Sequence, residues 1–168
     1  MEYPIPPPLV QIPFVHPSTM IVSGPTGCGK TQFVMKLLEN NMFVEPETGL
    51  VPDRIIWMYG AEQENLFRQL ASMRVELFSG FNREILESLD SNERNLIVLD
   101  DLMTEIKNSD DLEKLFTKGS HHKNLTVIYL VQNLFEKGKA TVSVSRNSHY
   151  IVLFKNPRNQ VEVNTLAS

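Results

Sequence analysis

The sequence predicts an α/β fold in three layers, a mostly parallel central sheet with helices on both faces. Three observations carry that expectation. Apolar, strand-like runs alternate with amphipathic, helix-like segments along most of the 168 residues. One of these runs, Thr19-Met20-Ile21-Val22, leads directly into a glycine-rich loop and then a helix. Another, Leu96-Ile97-Val98-Leu99, is continuously apolar and ends in two acids, the pattern of a strand covered on both faces.

The elements follow in order. Residues 1–17 carry Pro4, Pro6, Pro7, Pro8, Pro13 and Pro17, which excludes a helix. They read as an extended arm lying on its own domain or on a neighbouring subunit, or as a disordered leader. Residues 18–168 then form one domain of ordinary size. After the strand at 19–22, the stretch from Thr31 to Asn40 is helical, with Phe33, Val34, Leu37 and Leu38 on one face. Asn41 to Asp53, with Pro46, Gly49 and Pro52, reads as a turn-rich loop. Arg54 to Tyr59 is a strand, Glu64 to Met73 a helix with Leu66, Phe67 and Leu70 as its stripe, and Val75 to Phe78 a short strand. Asn82 to Leu89 is a short helix with Asn82 as its cap. Asp110 to Thr117 is helical, with Leu112, Leu115 and Phe116 inward. Leu125 to Val131 and His149 to Phe154 are strands, and Val161 to Val163 is a small edge strand after the Asn156-Pro157-Arg158-Asn159 turn.

Gly24-Pro25-Thr26-Gly27-Cys28-Gly29-Lys30-Thr31 matches the phosphate-binding pattern G-x-x-x-x-G-K-[ST] without a gap. The chemistry needs this composition at this place. Glycines let backbone N–H groups turn inward onto phosphate oxygens. The helix N-terminus adds a field favourable to the same anion. The eight residues are therefore expected to hold ATP, with Lys30 on the β- and γ-phosphates and the Thr31 hydroxyl on Mg²⁺. Cys28 reads as filler at a variable position of the loop, since no second cysteine exists to resolve an oxidised thiol. As the single cysteine it excludes an internal disulfide and suggests a reducing compartment.

An apolar strand ending in an acid delivers a carboxylate beside such a loop. Asp100 is the expected metal-side acid, acting through water because Mg²⁺ dehydrates reluctantly. Asp101 is the expected base or positioner for attacking water, with a plain cap of the next segment as its alternative. Glu62 is the nearest competitor for these acid roles. Arg54 to Tyr59 and the short strand after it lie between the loop and Asp100, which leaves room for a strand inserted between the phosphate-loop strand and the Asp100 strand. The strand ending at Gln132 is expected beside the phosphate-loop strand, where Gln132 can sense the γ-phosphate or hold the lytic water. Its alternative is a turn or cap residue. This pattern predicts a P-loop NTPase of the RecA/ASCE-like kind.

Composition narrows the function. A net charge of −4 excludes a passive electrostatic DNA binder, so any grip on nucleic acid is local. The N-terminus lacks a basic segment leading into an apolar run, and no stretch is long enough to span a bilayer. A soluble intracellular protein without membrane contact is expected.

Six segments together resemble the DNA-packaging ATPases of Polintons, adintoviruses and related large DNA viruses. They are Gly24–Thr31, Trp57–Gln63, Leu96–Met103, Leu115–His122, Gln132–Phe135 and Asn147–Arg158, and the resemblance runs from about Pro17 to Ala167. That group is similar to the poxvirus packaging ATPase and belongs with the FtsK/HerA pumps. The resemblance implies ATP-driven translocation of double-stranded DNA, independent of its sequence, into a preformed capsid by a homo-oligomeric ring. It implies a capsid or portal partner and a location at the viral assembly site of the host, in nucleus or cytoplasm, and with the virion. Relatives carry an arginine a few residues before the Asn147 block, where this chain has Val142, and they tend to continue beyond the segment that here ends at Ser168.

Hydrolysis between subunits requires an arginine finger. Arg146 and Arg158 are the expected candidates, each with a plain surface arginine as its alternative. Lys118, His121, His122 and Lys123 are expected between a helix and a strand, and Lys137, Lys139 and Arg146 in a second basic loop around Gly138. Either group could touch DNA phosphates, or form a solvated face. His121 and His122 read as packed or subunit-contact histidines rather than a zinc site. Two other functions compete with the motor. A nucleoside or nucleotide kinase would need an arginine-rich lid, and no arginine follows Asp101 until Arg146. A non-hydrolysing, nucleotide-bound scaffold at the portal is opposed by the intact Lys30, Thr31, Asp100 and Asp101.

Overall fold

A computed structural model describes residues 12–106, 110–134 and 139–155. The apolar runs become strands β1 (Phe14–Val15), β2 (Thr19–Ser23), β3 (Phe43–Val44), β4 (Arg54–Tyr59), β5 (Glu76–Ser79), β6 (Asn95–Asp100), β7 (Leu125–Val131) and β8 (Tyr150–Leu153). The helices are α1 (Lys30–Glu39), α2 (Glu64–Ser72), α3 (Arg83–Glu87), α4 (Met103–Ile106), α5 (Asp110–Lys114), α6 (Ser120–His122) and α7 (Lys139–Arg146). A π-helical stretch, Leu115–Gly119, joins α5 to α6.

Six strands form one sheet in the order β5-β4-β6-β7-β2-β8, and every neighbouring pair is parallel. β2, β6 and β7 are buried at every position, which is why their sequences are unbroken apolar runs rather than alternating ones. Alternate residues feed two cores. Met20, Val22, Trp57, Leu96, Val98, Ile128 and Leu130 pack with Val34 and Leu38 of α1 and Leu66 and Leu70 of α2. Ile21, Ile97, Leu99, Val127 and Tyr129 pack on the other face with Leu86, Leu112, Leu115, Phe116 and Val144. The three expected layers are present. The strand inserted between β2 and β6 is β7, which follows Asp100 in the sequence, while β4 and β5 lie on the far side of β6.

Four local expectations are corrected. The turn-rich stretch from Asn41 to Asp53 contains β3, which pairs in parallel with β1 at Phe14↔Phe43 and Val15↔Val44. Phe14 stacks on Phe43 at 5.4 Å and meets Tyr150 edge-on at 4.8 Å, so this end of the arm lies on its own domain. Pro4, Pro6, Pro7 and Pro8 lie outside the described residues. A short helix, α4, follows Asp101 where the sequence shows no periodicity long enough to announce one. The helix begun at Asp110 does not stop at Thr117 but continues to His122, so Lys118, His121 and His122 ride on a helical face rather than a connection. Gly119 allows this: a Cβ there would stand 3.2 Å from Lys114 O. Finally, Lys139 to Arg146 is a helix, not a basic loop. Its Thr141, Val142 and Val144 are poor intrinsic helix formers, and burial of Val144 (1% exposed) in the core overrides that preference. The expected 161–163 strand, the Asn156–Asn159 turn, Lys137 and Arg158 lie outside the described residues. Among the described residues no helix is long and apolar enough to cross a membrane.

Candidate nucleotide site

The phosphate loop leaves the C-terminal end of β2 and turns into α1 at Lys30. Gly27 (φ 77°) and Gly29 (φ 101°) adopt the left-handed conformation that side chains resist. Gly24 is needed for space: a Cβ there would lie 2.7 Å from Cys28 Sγ and 2.7 Å from Phe154 Cβ. Lys30 Nζ donates to the carbonyl oxygens of Gly24 and Pro25, so the lysine arches across the loop it follows. Phe154, just beyond β8, packs under the loop and meets Phe33 of α1 edge-on at 5.8 Å. The Phe154 N–H donates to Ser23 O (2.8 Å). Sequence reasoning gave Phe154 no role beyond its strand, and an aromatic at a strand end carries no signal of what it supports.

Asp100 closes β6, on the sheet face that carries α1 and α2, and is 6% exposed. Burial pushes its carboxyl up to about 6, with the Asp101 charge adding to the effect and the Trp57 indole and Lys30 opposing it. The indole stands close enough to favour the carboxylate, yet Trp57 Nε1 and Asp100 Oδ2 are both buried without a hydrogen bond of good geometry. An orphaned acid oxygen beside a phosphate loop suits a hydrated divalent cation. Thr31 lines the same cavity as Asp100, and the pair fits Mg²⁺.

Asp101 is exposed and sits at φ 54°, which turns the chain sharply out of β6. Gln132 is exposed directly after β7. Two bonds hold this exit against the phosphate loop: Gly24 N–H donates to Val131 O (3.1 Å) and Leu134 N–H donates to the buried Ser23 hydroxyl (3.1 Å). Thr26, Gly27, Gly29, Lys30, Thr31, Asp100, Asp101 and Gln132 all line one cavity of about 850 Å³ at the C-terminal ends of β2, β6 and β7. The same cavity is also lined by Gln63, Glu64 and Asn65 at the start of α2 and by Met103 and Thr104 of α4, to which sequence reasoning gave no site role. Glu62 is exposed and is not among the residues lining the cavity.

The remaining expected residues lie elsewhere. Arg146 ends α7 at the other end of the sheet, where the adjacent Asn147 O accepts from Thr19 Oγ1 (3.1 Å). β2 separates that point from the phosphate loop by about 16 Å at 3.3 Å per residue, so Arg146 does not serve its own chain's cavity. Lys123 Nζ donates to Leu86 O near the end of α3, which makes it a cap rather than a free basic group. His121 packs edge-on against His149 at 5.8 Å. His149 Nδ1 accepts from Thr19 N–H (3.0 Å), and burial, with His121 beside it, lowers its pKa. Lys118 and His122 are exposed on the α5–α6 face.

No family model matches the chain, and no curated protein matches it. Solved structures do. The cytoplasmic domain of EssC superposes with a TM-score of 0.62 at 12% identity, covering 88% of this chain and 33% of that one. The flagellar accessory protein FlaH from Methanocaldococcus jannaschii superposes with a TM-score of 0.53 at 15% identity, covering 83% of this chain and 72% of that one. This chain thus spans about a third of the EssC structure. At such identities the likeness speaks for the fold alone, a RecA-like α/β fold with a parallel central sheet.

Proposed function

We propose that this chain binds ATP with Mg²⁺ and hydrolyses it. The observation that carries the reading is the convergence on one cavity of Lys30, Thr31, Asp100, Asp101 and Gln132, delivered by three different strands. Lys30 and the loop amides hold the phosphates and neutralise charge that grows during transfer. Thr31 and, through water, Asp100 would hold the cation, which would supply positive charge to the phosphates. Asp101 takes up the proton of the attacking water, and Gln132 orients that water.

The finer reading is a ring-forming motor that uses this hydrolysis to move double-stranded DNA, without reading its sequence, into a preformed capsid. It is supported by the six-segment resemblance to viral packaging ATPases. Among the described residues the cavity lining contains no arginine, and on this reading the finger comes from outside that lining. A neighbouring subunit's Arg146 or Arg158 is the proposed source. A capsid or portal protein is the proposed partner, and a viral assembly site in the host cell the proposed location.

The test is steady-state phosphate release with and without double-stranded DNA, with Lys30→Ala as the blank. DNA-stimulated release that vanishes in Lys30→Ala is the expected result. Release that requires a nucleoside acceptor would replace hydrolysis by phosphoryl transfer. ATP binding without turnover, with and without DNA, would leave a scaffold.

A further inference from the structure

Three strand ends are stitched together around Asp101, and Gly60, Gly80 and Glu105, which do the stitching with Asp100, belong to neither the phosphate loop nor the acid pair. Gly80 N–H, after β5, donates to Tyr59 O at the end of β4 (2.8 Å). Gly60 N–H, after β4, donates to Asp100 O at the end of β6 (3.0 Å). Glu105 of α4 reaches back across the same ends, and its Oε2 accepts from Phe81 N–H (2.9 Å). Gly60 is required by close approach, and Gly80 by its positive φ. A Cβ on Gly60 would stand 2.1 Å from the carbonyl oxygen of Asp101, a backbone atom that cannot move without moving Asp101 itself. A Cβ on Gly80, whose φ is +78°, would stand 3.2 Å from Glu105 Oε2.

Between these two anchors the chain takes its least comfortable step. Asp101 lies in the left-handed region at φ 54°, which an aspartate adopts more readily than most residues but still at a cost its surroundings offset. Gly60 presses on one side of that step through the Asp101 carbonyl, and Glu105 fixes the helix that begins two residues beyond it.

We propose that Gly60 and Glu105 are positioning residues that hold the Asp101 carboxylate at the phosphate end of the cavity. Neither lines the cavity, so neither touches nucleotide. They act by denying Asp101 its relaxed backbone conformation, which would swing the carboxylate away from attacking water. The assignment rests on the hydrolytic reading of the cavity above. It adds that the geometry of the base is set from β4 and β5, the strands farthest from the phosphate loop.

Phosphate release by the full chain over a range of ATP concentrations tests this, in the parent, Gly60→Ala, Glu105→Ala and Glu105→Gln. Displacing a reacting group by about 1 Å costs on the order of a hundredfold in rate, the fall in kcat expected for Gly60→Ala with KM for ATP within about twofold of the parent. Glu105→Ala should lower kcat about tenfold, the rate equivalent of one charge-assisted hydrogen bond, again at constant KM. Glu105→Gln keeps an acceptor oxygen for Phe81 N–H and should recover most of the loss. Should Gly60→Ala fail to fold, the two Glu105 variants decide, because Glu105 is exposed and no core packing depends on it. Parent-like kcat in Glu105→Ala, or a loss expressed in KM alone, would overturn the assignment while leaving hydrolysis intact. A parent without turnover would overturn the hydrolytic reading, and this assignment with it.

Discussion

Asp100 shows what a single buried acid costs and what it supplies. Its folded pKa of about 6 stands above the ordinary 3.8, so the folded protein holds this proton more tightly than the unfolded chain does. The sign follows: protonated Asp100 is accommodated at low pH, and stability falls as pH rises from about 4 to about 6, then stays lower. At about 1.4 kcal/mol per unit, the penalty at pH 8 is on the order of 2 to 3 kcal/mol. Asp100→Asn should therefore raise the Tm of Mg²⁺-free protein at pH 8, leave it nearly unchanged at pH 4, and abolish hydrolysis. Calorimetry and phosphate release together check both halves; a lower Tm at pH 8 would mean that the carboxylate stabilises the fold. A cation needs the ionised acid, so Mg·ATP affinity, measured against Asp100→Asn in parallel, should fall as pH drops through about 6.

At the scale of elements, the phosphate loop leans on a strand far from it in sequence. Phe154 follows β8, fills the space that Gly24 leaves open, and packs on Phe33 of α1. Phe154→Ala should loosen the loop: KM for ATP should rise about tenfold, with a stability loss of about 1 to 3 kcal/mol because the ring is only half-buried. Nucleotide titration and thermal unfolding measure the two, and an unchanged KM would show that the loop holds its shape unaided. β2, α1, β4, α2, β6 and β7 were legible in the sequence because each states a clear period or an unbroken apolar run. β3 and α4 were not, since two and four residues carry no period. α7 was hidden by its β-branched residues, whose helical state is set by the burial of Val144.

The whole molecule separates its proposed finger from its own site. Arg146 stands at the N-terminal end of the sheet and the phosphate loop at the C-terminal end, so catalysis by Arg146 requires a second copy. Arg146→Ala and Lys30→Ala should each lose turnover alone. Mixed before assembly, they should recover a fraction of it, because some interfaces then pair an intact loop with an intact arginine. Phosphate release across mixing ratios reads this directly. No recovery at any ratio would remove Arg146 as a finger and leave Arg158 to be tested in the same way.

The sequence by itself determined the fold class, and it predicted the phosphate loop, Asp100, Asp101 and Gln132 as one site. Glycine spacing, apolar runs and the acids that end them are local statements of backbone freedom and burial. Only the tertiary structure decided that β7 lies between β2 and β6, that burial raises the Asp100 pKa, and that Arg146 is remote from its own cavity. It also placed Gly60 and Glu105 against the backbone around Asp101, and Phe154 against the phosphate loop. Those facts depend on which strand ends meet, and contacts between residues far apart in the chain leave no period or spacing in the sequence to read.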